Sequence, residues 1–189
     1  GNVEITSNEQ MQEVIDAGVT LTIRPGVEVK GFSDAALIIT RGSKLIANGS
    51  ATSPITFSSI DPDYSSMGEW GGVVIQGFAP QYGQGGTGAC FAAGENFCNV
   101  LGEGGGFRYG GNLPADDSGI IRYVRIAEGG FIVGPNDEIN GLTLQGVGHG
   151  TVIEYVQVHA NLDDGIEWFG GTANVKYAVL THNDDDDID

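Results

Sequence analysis

An all-β fold, wound as a parallel β-solenoid, is predicted by three observations. The segment VIEYVQVHANLDDGIE (152–167) aligns without gaps on NVKYAVLTHNDDDDID (174–189), 22 residues later. That period is too short for a globular domain and fits one coil of a solenoid. Neither segment has helical periodicity: each opens with alternating apolar residues and breaks at Asn, Asp and Gly. In 152–158 the alternation puts Ile153, Tyr155 and Gln157 on one side and Val152, Val156 and Val158 largely on the other. In such a fold residues at equal positions stack about 4.8 Å apart. Tyr155 then lies on Tyr177, Asn161 on Asn183, Asp163 and Asp164 on Asp185 and Asp186, and Glu167 on Asp189.

The one clear helical pattern precedes the strands, at residues 7–16. Ser7 and Gln10 have the form of a capping box, Met11, Val14 and Ile15 make an apolar stripe, and Gly18 is placed to stop the helix. A short amphipathic helix (7–18) before a solenoid serves to cover the open first coil. VTLTIRPGVEVKG (19–31) and AALIITRGSKLIANG (35–49) each read as strand, Gly turn, strand. SPITFSS (53–59) and GEWGGVVIQGFAP (68–80) add further strands, with Trp70 available to the core. Residues 81–117 break the rhythm with many glycines, Cys90, Cys98 and five aromatics (Tyr82, Phe91, Phe97, Phe107 and Tyr109). So long a segment is expected to be a loop excursion laid on the outside of the solenoid. Regular coils resume at SGIIRYVRIAEGG (118–130) and NGLTLQGVG (140–148). IIRYVRI, VIEYVQV and NVKYAVL share one form, and Glu154 falls beside Arg122. The whole reads as one domain over 1–189, with about six or seven coils and a rod on the order of 30 Å tall.

Composition narrows the function. With 8 basic and 25 acidic residues the net charge is −17, which repels nucleic acid and anionic membranes and favours cations. No apolar run is long enough for a membrane span. The first residue is Gly rather than Met, which reads as a processed or trimmed chain and fits export. Cys90 and Cys98 are expected to close a small disulfide loop, with two free thiols as the alternative; no further Cys or nearby His completes a metal site with them. A solenoid ending at Asp189 leaves an open last coil, so either copies stack head to tail as a homopolymer or the natural chain is longer.

LTIRPGVEVKG, RGSKLIANGSATSPITFSS, EWGGVVIQGFAP, DDSGIIRYVRI, EINGLTLQGVGHGTVIEYVQVH, DDGIEWFGGTANVKYAVL and NDDDDID together resemble a family of secreted bacterial right-handed parallel β-helix proteins of the pectate-lyase-like superfold. The resemblance covers most of the chain apart from 81–117. It implies a right-handed β-helix and an extracellular or cell-surface location. It assigns no activity, and members run on after the second acidic corner with further coils.

The acidic ladder carries the sharpest chemistry. Asp163, Asp164 and Glu167 stack under Asp185, Asp186 and Asp189, with Asp184 and Asp187 alongside. Like charges about 4.8 Å apart repel by roughly 1 kcal/mol in water and roughly 3 to 4 at an effective dielectric of 20. Such a ladder calls for a neutralising cation, and calcium, which takes six to eight oxygen ligands, is the natural candidate metal. The alternative is a hydrated acidic corner with slightly raised carboxyl pKa values. Asn161 and Asn183 add amide oxygens or hydrogen-bond each other.

An enzymatic reading stands beside this. Polygalacturonase-type hydrolases of the same superfold carry Asn-x-Asp, then an Asp pair one coil later, which NLDDG (161–165) and DDDDI (184–188) resemble; Asp163, Asp164, Asp185 and Asp186 are then the catalytic carboxylates. The only Gly-His-Gly, around His149, comes before the acidic pairs rather than after them, and no Arg-x-Lys follows. A lyase would use Arg122 or Arg125 as base. His159 and His182 lie near the acidic corners at unequal positions, and Trp70, Trp168 and Phe169 suit either sugar stacking or the core. Asn48-Gly49-Ser50 matches a glycosylation sequon, a short pattern common by chance. The leading expectation is an extracellular structural or adhesive β-helix that self-assembles into filaments and is stabilised by calcium. A polysaccharide-active enzyme acting on extracellular polysaccharide is the alternative.

Overall fold

The computed structural model describes residues 4–81, 97–104, 106–135 and 137–189. Cys90, Tyr82 and Phe91 lie outside them, so the expected Cys90–Cys98 bridge does too; Cys98 is fully buried.

The chain begins with α1 (Asn8–Ala17). Ser7 accepts the Gln10 N–H, and the Gln10 side chain reaches back to the Thr6 N–H at 2.9 Å. Gly18 ends the helix by donating to the Ile15 carbonyl. The apolar stripe packs Met11, Val14 and Ile15 with Ile5, Phe78, Phe97 and Leu113. Val14 also abuts Gly42, where any Cβ would lie 2.7 Å from the Val14 carbonyl oxygen. The helix therefore sits on the corner of the second coil, while Val19 (71% exposed) and Leu21 (41%) of the first coil remain open.

Successive coils follow. The first holds β1 (Thr20–Ile23), β2 (Glu28–Gly31) and β3 (Leu37–Ile39); the second holds β4 (Lys44–Asn48), β5 (Ile55–Ser59) and β6 (Val73–Gln76). The hairpin β7 (Val100–Leu101) and β8 (Arg108–Tyr109) intervenes. Then come β9 (Gly119–Ala127), a second hairpin of β10 (Ile132–Gly134) and β11 (Asp137–Glu138), and β12 (Leu142–Gln145). The chain finishes with β13 (Val152–His159), β14 (Ile166–Phe169), β15 (Val175–Lys176) and β16 (Val179–Thr181).

All pairings between coils are parallel. The order β1-β4-β9-β13-β15 counts five coils rather than the expected six or seven. The difference arises because β4, β5 and β6, far apart in sequence, belong to one coil. Residues that pair across coils also stack in the core. Ile23, Ala47, Ile121, Ile153 and Val175 make one row; Val29, Phe57, Ile126, Val158 and Leu180 a second; Ile39, Ile75, Leu144 and Trp168 a third. Each fully buried aliphatic side chain contributes about 1.5–3 kcal/mol.

The alternation expected for 152–158 is corrected. Ile153 points into the core with Val156 and Val158, not away from them. Tyr155 has φ 55°, in the left-handed region, and this one residue bends the strand and shifts the inside-outside phase by one. Tyr123 (φ 49°) and Tyr177 (φ 59°) do the same on the neighbouring coils. The three rings stack with centroids 4.5 Å apart.

The described part of the 81–117 excursion lies against the solenoid wall. Gly110 N–H donates to the Gly77 carbonyl, and Gln145 Nε2 donates to the Glu103 carbonyl at 3.1 Å. Gln145 in turn accepts from Gln76 Nε2 at 2.8 Å. The polar outer face of β6 and β12 is thereby covered as far as the Thr143–Glu167 rung. Tyr109 is buried beneath it.

Candidate metal centre

The site begins at the corner after β13. Asn161, fully buried, accepts nothing from a side chain of the next coil but donates its backbone N–H to Asn183 Oδ1 at 3.2 Å. Its own Nδ2 donates to the Asp164 carbonyl at 2.8 Å, closing the turn. The next coil repeats the path above it. Asp184 N–H donates to the Asn161 carbonyl, Gly165 N–H to the Asp186 carbonyl, and Ile166 N–H to the Asp187 carbonyl. Asp164 Oδ1 accepts the Asp186 N–H. The expected stacking of the two acidic corners is thus made largely of backbone hydrogen bonds, and Ile166 bridges Ile188 in parallel as the alignment requires.

Beside the corner, β14 sets Glu167 on the outer face of the sheet, one rung from Thr143. Asn140 Nδ2 donates to Glu167 Oε2. Two further acids arrive from outside the repeat. Glu138 comes from β11, and Glu103 comes from the turn after β7. Asp137 Oδ1 accepts the Gly104 N–H at 2.8 Å, which ties these two segments together.

The result is a cleft of about 280 Å³ lined by Glu103, Glu138, Asp163, Asp164, Glu167, Asp185, Asp186 and Asp189, with no basic side chain in its lining. Within it, one carboxylate oxygen each from Asp163, Asp164 and Asp185 lie within 4.8 Å of one another. The same holds for Asp164, Glu167 and Asp189, so Asp164 belongs to both groups. Of the residues expected at the site, six line the cleft and two do not: the Asp187 carboxylate accepts from Asn183 Nδ2, and Asp184 contributes its backbone to the corner.

Crowding moves the protons. Glu167 is pushed up to about 8, first by burial and then by the charge of Glu103, against a lowering hydrogen bond from Asn140. Glu103 is raised to about 7 by burial and by Asp137, Asp163 and Glu138. Asp164 rises to about 6 by burial, opposed by the Asp186 N–H. Burial and the nearby Glu138 raise Asp163 as well. Burial first, and repulsion between neighbouring carboxylates second, make a second negative charge costly here, and a bound cation offsets both.

Glu103 and Glu138 were not legible as site residues. Glu103 stands alone among glycines in LGEGGG, and Glu138 lies in a hairpin between repeats; neither belongs to the two aligned segments 152–167 and 174–189. The other sequence-nominated groups stand elsewhere. Arg122 pairs with Glu154 at 3.0 Å, as expected, on the outer face of the β9–β13 sheet. His149 N–H donates to the Pro114 carbonyl at another corner. His159 and His182 stack on each other at 6.0 Å, with His159 in register with Thr181. Trp70 is buried and donates Nε1–H to the Ala127 carbonyl, and Trp168 packs against the core.

No helix among the described residues is long and apolar enough to cross a membrane. Neither the curated proteins nor the solved structures provide a match to the chain. A family model described as a pectate-lyase-like β-helix domain matches residues 5–189. The stacked parallel coils and that match over nearly the whole chain place this protein in the pectate-lyase-like β-helix domain family.

Proposed function

We propose that this is an exported, right-handed structural β-helix whose acidic cleft binds calcium. The observation that carries the reading is the pair of carboxylate triads that share Asp164. Calcium–oxygen distances of about 2.3–2.6 Å put ligands on opposite sides of one ion roughly 4.6–5.2 Å apart. Oxygens gathered within 4.8 Å therefore suit a single shared ion. Backbone hydrogen bonds fix the corners that carry them, so little ordering remains to oppose binding. The ion joins two adjacent coils in a cleft that Glu103 and Glu138 also line, which gives it a stabilising role.

Polysaccharide cleavage is the second reading, favoured by one observation: Glu167, raised to about 8, and Asp164, raised to about 6, stand in one carboxylate group with separated pKa values, as an acid–base pair does. The position of the histidine speaks against it, because the Gly-His-Gly around His149 stands at another corner and outside the lining of the cleft. Calorimetric titration of chelator-treated protein with calcium tests the primary reading. Saturable binding accompanied by a higher melting temperature is expected. Absence of binding together with release of reducing ends from an acidic polysaccharide would transfer the cleft to the second reading.

A further inference from the structure

The outer face of the sheet made by β5, β9, β13 and β16 carries a second concavity, a trough of about 520 Å³ lined chiefly by Thr56, Tyr64, Arg125, Gln157, His159 and Thr181. Thr56, Arg125 and Gln157 occupy one rung-to-rung row of that face. In a chain with 25 acidic residues, the trough is lined by none. Arg125 is exposed and makes no ion pair among the described residues, in contrast to Arg122 three positions earlier. Glu28, the acid in the same row, stands two rungs away with Thr56 between.

One wall of the trough is held in place from both sides. Tyr64 has φ 57°, a conformation costly for a tyrosine. Glu128, fully buried, accepts the N–H groups of Asp63 and Tyr64 with Oε1 and that of Ser59 with Oε2. From the solvent side, His159 Nε2 bonds the Tyr64 carbonyl at 3.0 Å and Nδ1 bonds Thr181 Oγ1 at 2.8 Å. A carbonyl only accepts, so Nε2 carries a proton, while the Thr181 hydroxyl can serve Nδ1 as either donor or acceptor. His159 and Thr181 are thereby engaged. Arg125, Gln157 and Thr56 are left to face a ligand, on a surface that is otherwise mostly apolar and continues along the tyrosine column through Arg125 and Gln157.

A rigid, mostly apolar concavity of this size with a few convergent polar groups is the form small-molecule sites take. One uncompensated guanidinium selects an oxyanion, and so few remaining hydrogen-bonding groups select an apolar body over a polyhydroxylated one. We propose that this trough binds a small aromatic oxyanion, an aryl carboxylate or aryl sulfate, with the anionic group on Arg125 and the ring against Tyr64.

Benzoate, phenyl sulfate and neutral benzamide, titrated into the intact chain and followed by amide NMR shifts, test this. Benzoate or phenyl sulfate is expected to saturate, with an affinity on the order of millimolar or tighter, as ligands of so few atoms allow. Whichever anion binds identifies the group as carboxylate or sulfate. Arg125→Gln should weaken that binding by about tenfold or more, the loss of a charge-assisted pair, without changing the melting temperature. Tyr64→Gly keeps the positive φ, removes the ring and should also weaken it. The proposal is overturned if neither anion saturates, if benzamide binds as tightly as the anions, or if Arg125→Gln binds like the unaltered chain.

Discussion

Asp164 Oδ1 accepts the backbone N–H of Asp186, 22 residues further on, at 2.9 Å. One side chain thus reads the period of the solenoid directly, and it does so at the centre of the acidic cleft. The same carboxylate belongs to both triads, which makes it the most informative position to change.

Asp164→Asn preserves an acceptor for the Asp186 N–H and removes one charge. Calcium affinity is expected to fall by about tenfold or more, since a shared anionic ligand is lost from each triad. In chelator at pH 8 the same variant should melt no lower than the unaltered protein, because a repelling charge has gone. Calorimetry and thermal melting, run in parallel, check both arms.

The pH dependence of the metal-free protein has a defined sign. Glu167, Glu103 and Asp164 have raised folded pKa values, at about 8, 7 and 6, so the folded state holds protons that the unfolded state releases. Their contribution to stability is complete below the ordinary carboxylate range near pH 4 and is lost as pH rises through 6 to 8. Melting temperature in chelator should therefore fall between pH 5 and pH 8.5. Saturating calcium, which displaces those protons, should flatten or reverse the slope, and calcium affinity should tighten over the same interval.

Glu128→Gln tests the clamp on the Tyr64 loop. An amide turned to keep one oxygen acceptor presents its NH₂ to a backbone donor that the carboxylate formerly accepted. A cost of about 1–3 kcal/mol is expected from the unsatisfied buried group. Urea denaturation gives the value, and a fall in binding of the anionic probe would accompany it.

Gly72→Ala tests close approach between coils. Gly72 has φ 152°, and a Cβ there would lie 2.2 Å from the Asn140 carbonyl oxygen. Backbone has to move at the rung that leads into β6 and β12. Destabilisation of more than about 2 kcal/mol is expected, measured by the same denaturation.

Much of the architecture was legible because a solenoid converts sequence period into contact. Tyr155 and Tyr177, Asn161 and Asn183, Asp164 and Asp186, and Arg122 with Glu154 all meet as the alignment requires. What stayed hidden lacks that period. The second coil is spread over residues 44–76 with unequal corners, so its three strands did not read as one turn. Tyr155 broke the alternation because a residue type rarely found at positive φ adopts it here, held in a column of like rings. Glu103 and Glu138 reach the cleft through the Asp137–Gly104 bond, a contact across 33 residues with no repeat to announce it.

The column of Tyr123, Tyr155 and Tyr177 has an optical consequence. Three phenol chromophores held nearly parallel at 4.5 Å are close enough for their electronic transitions to couple. The near-ultraviolet circular dichroism of this protein should carry a coupled tyrosine signal that belongs to no single ring. Replacing Tyr155 alone interrupts the array and should remove more than a third of that signal, so the spectrum becomes a built-in gauge of whether adjacent turns are seated on one another.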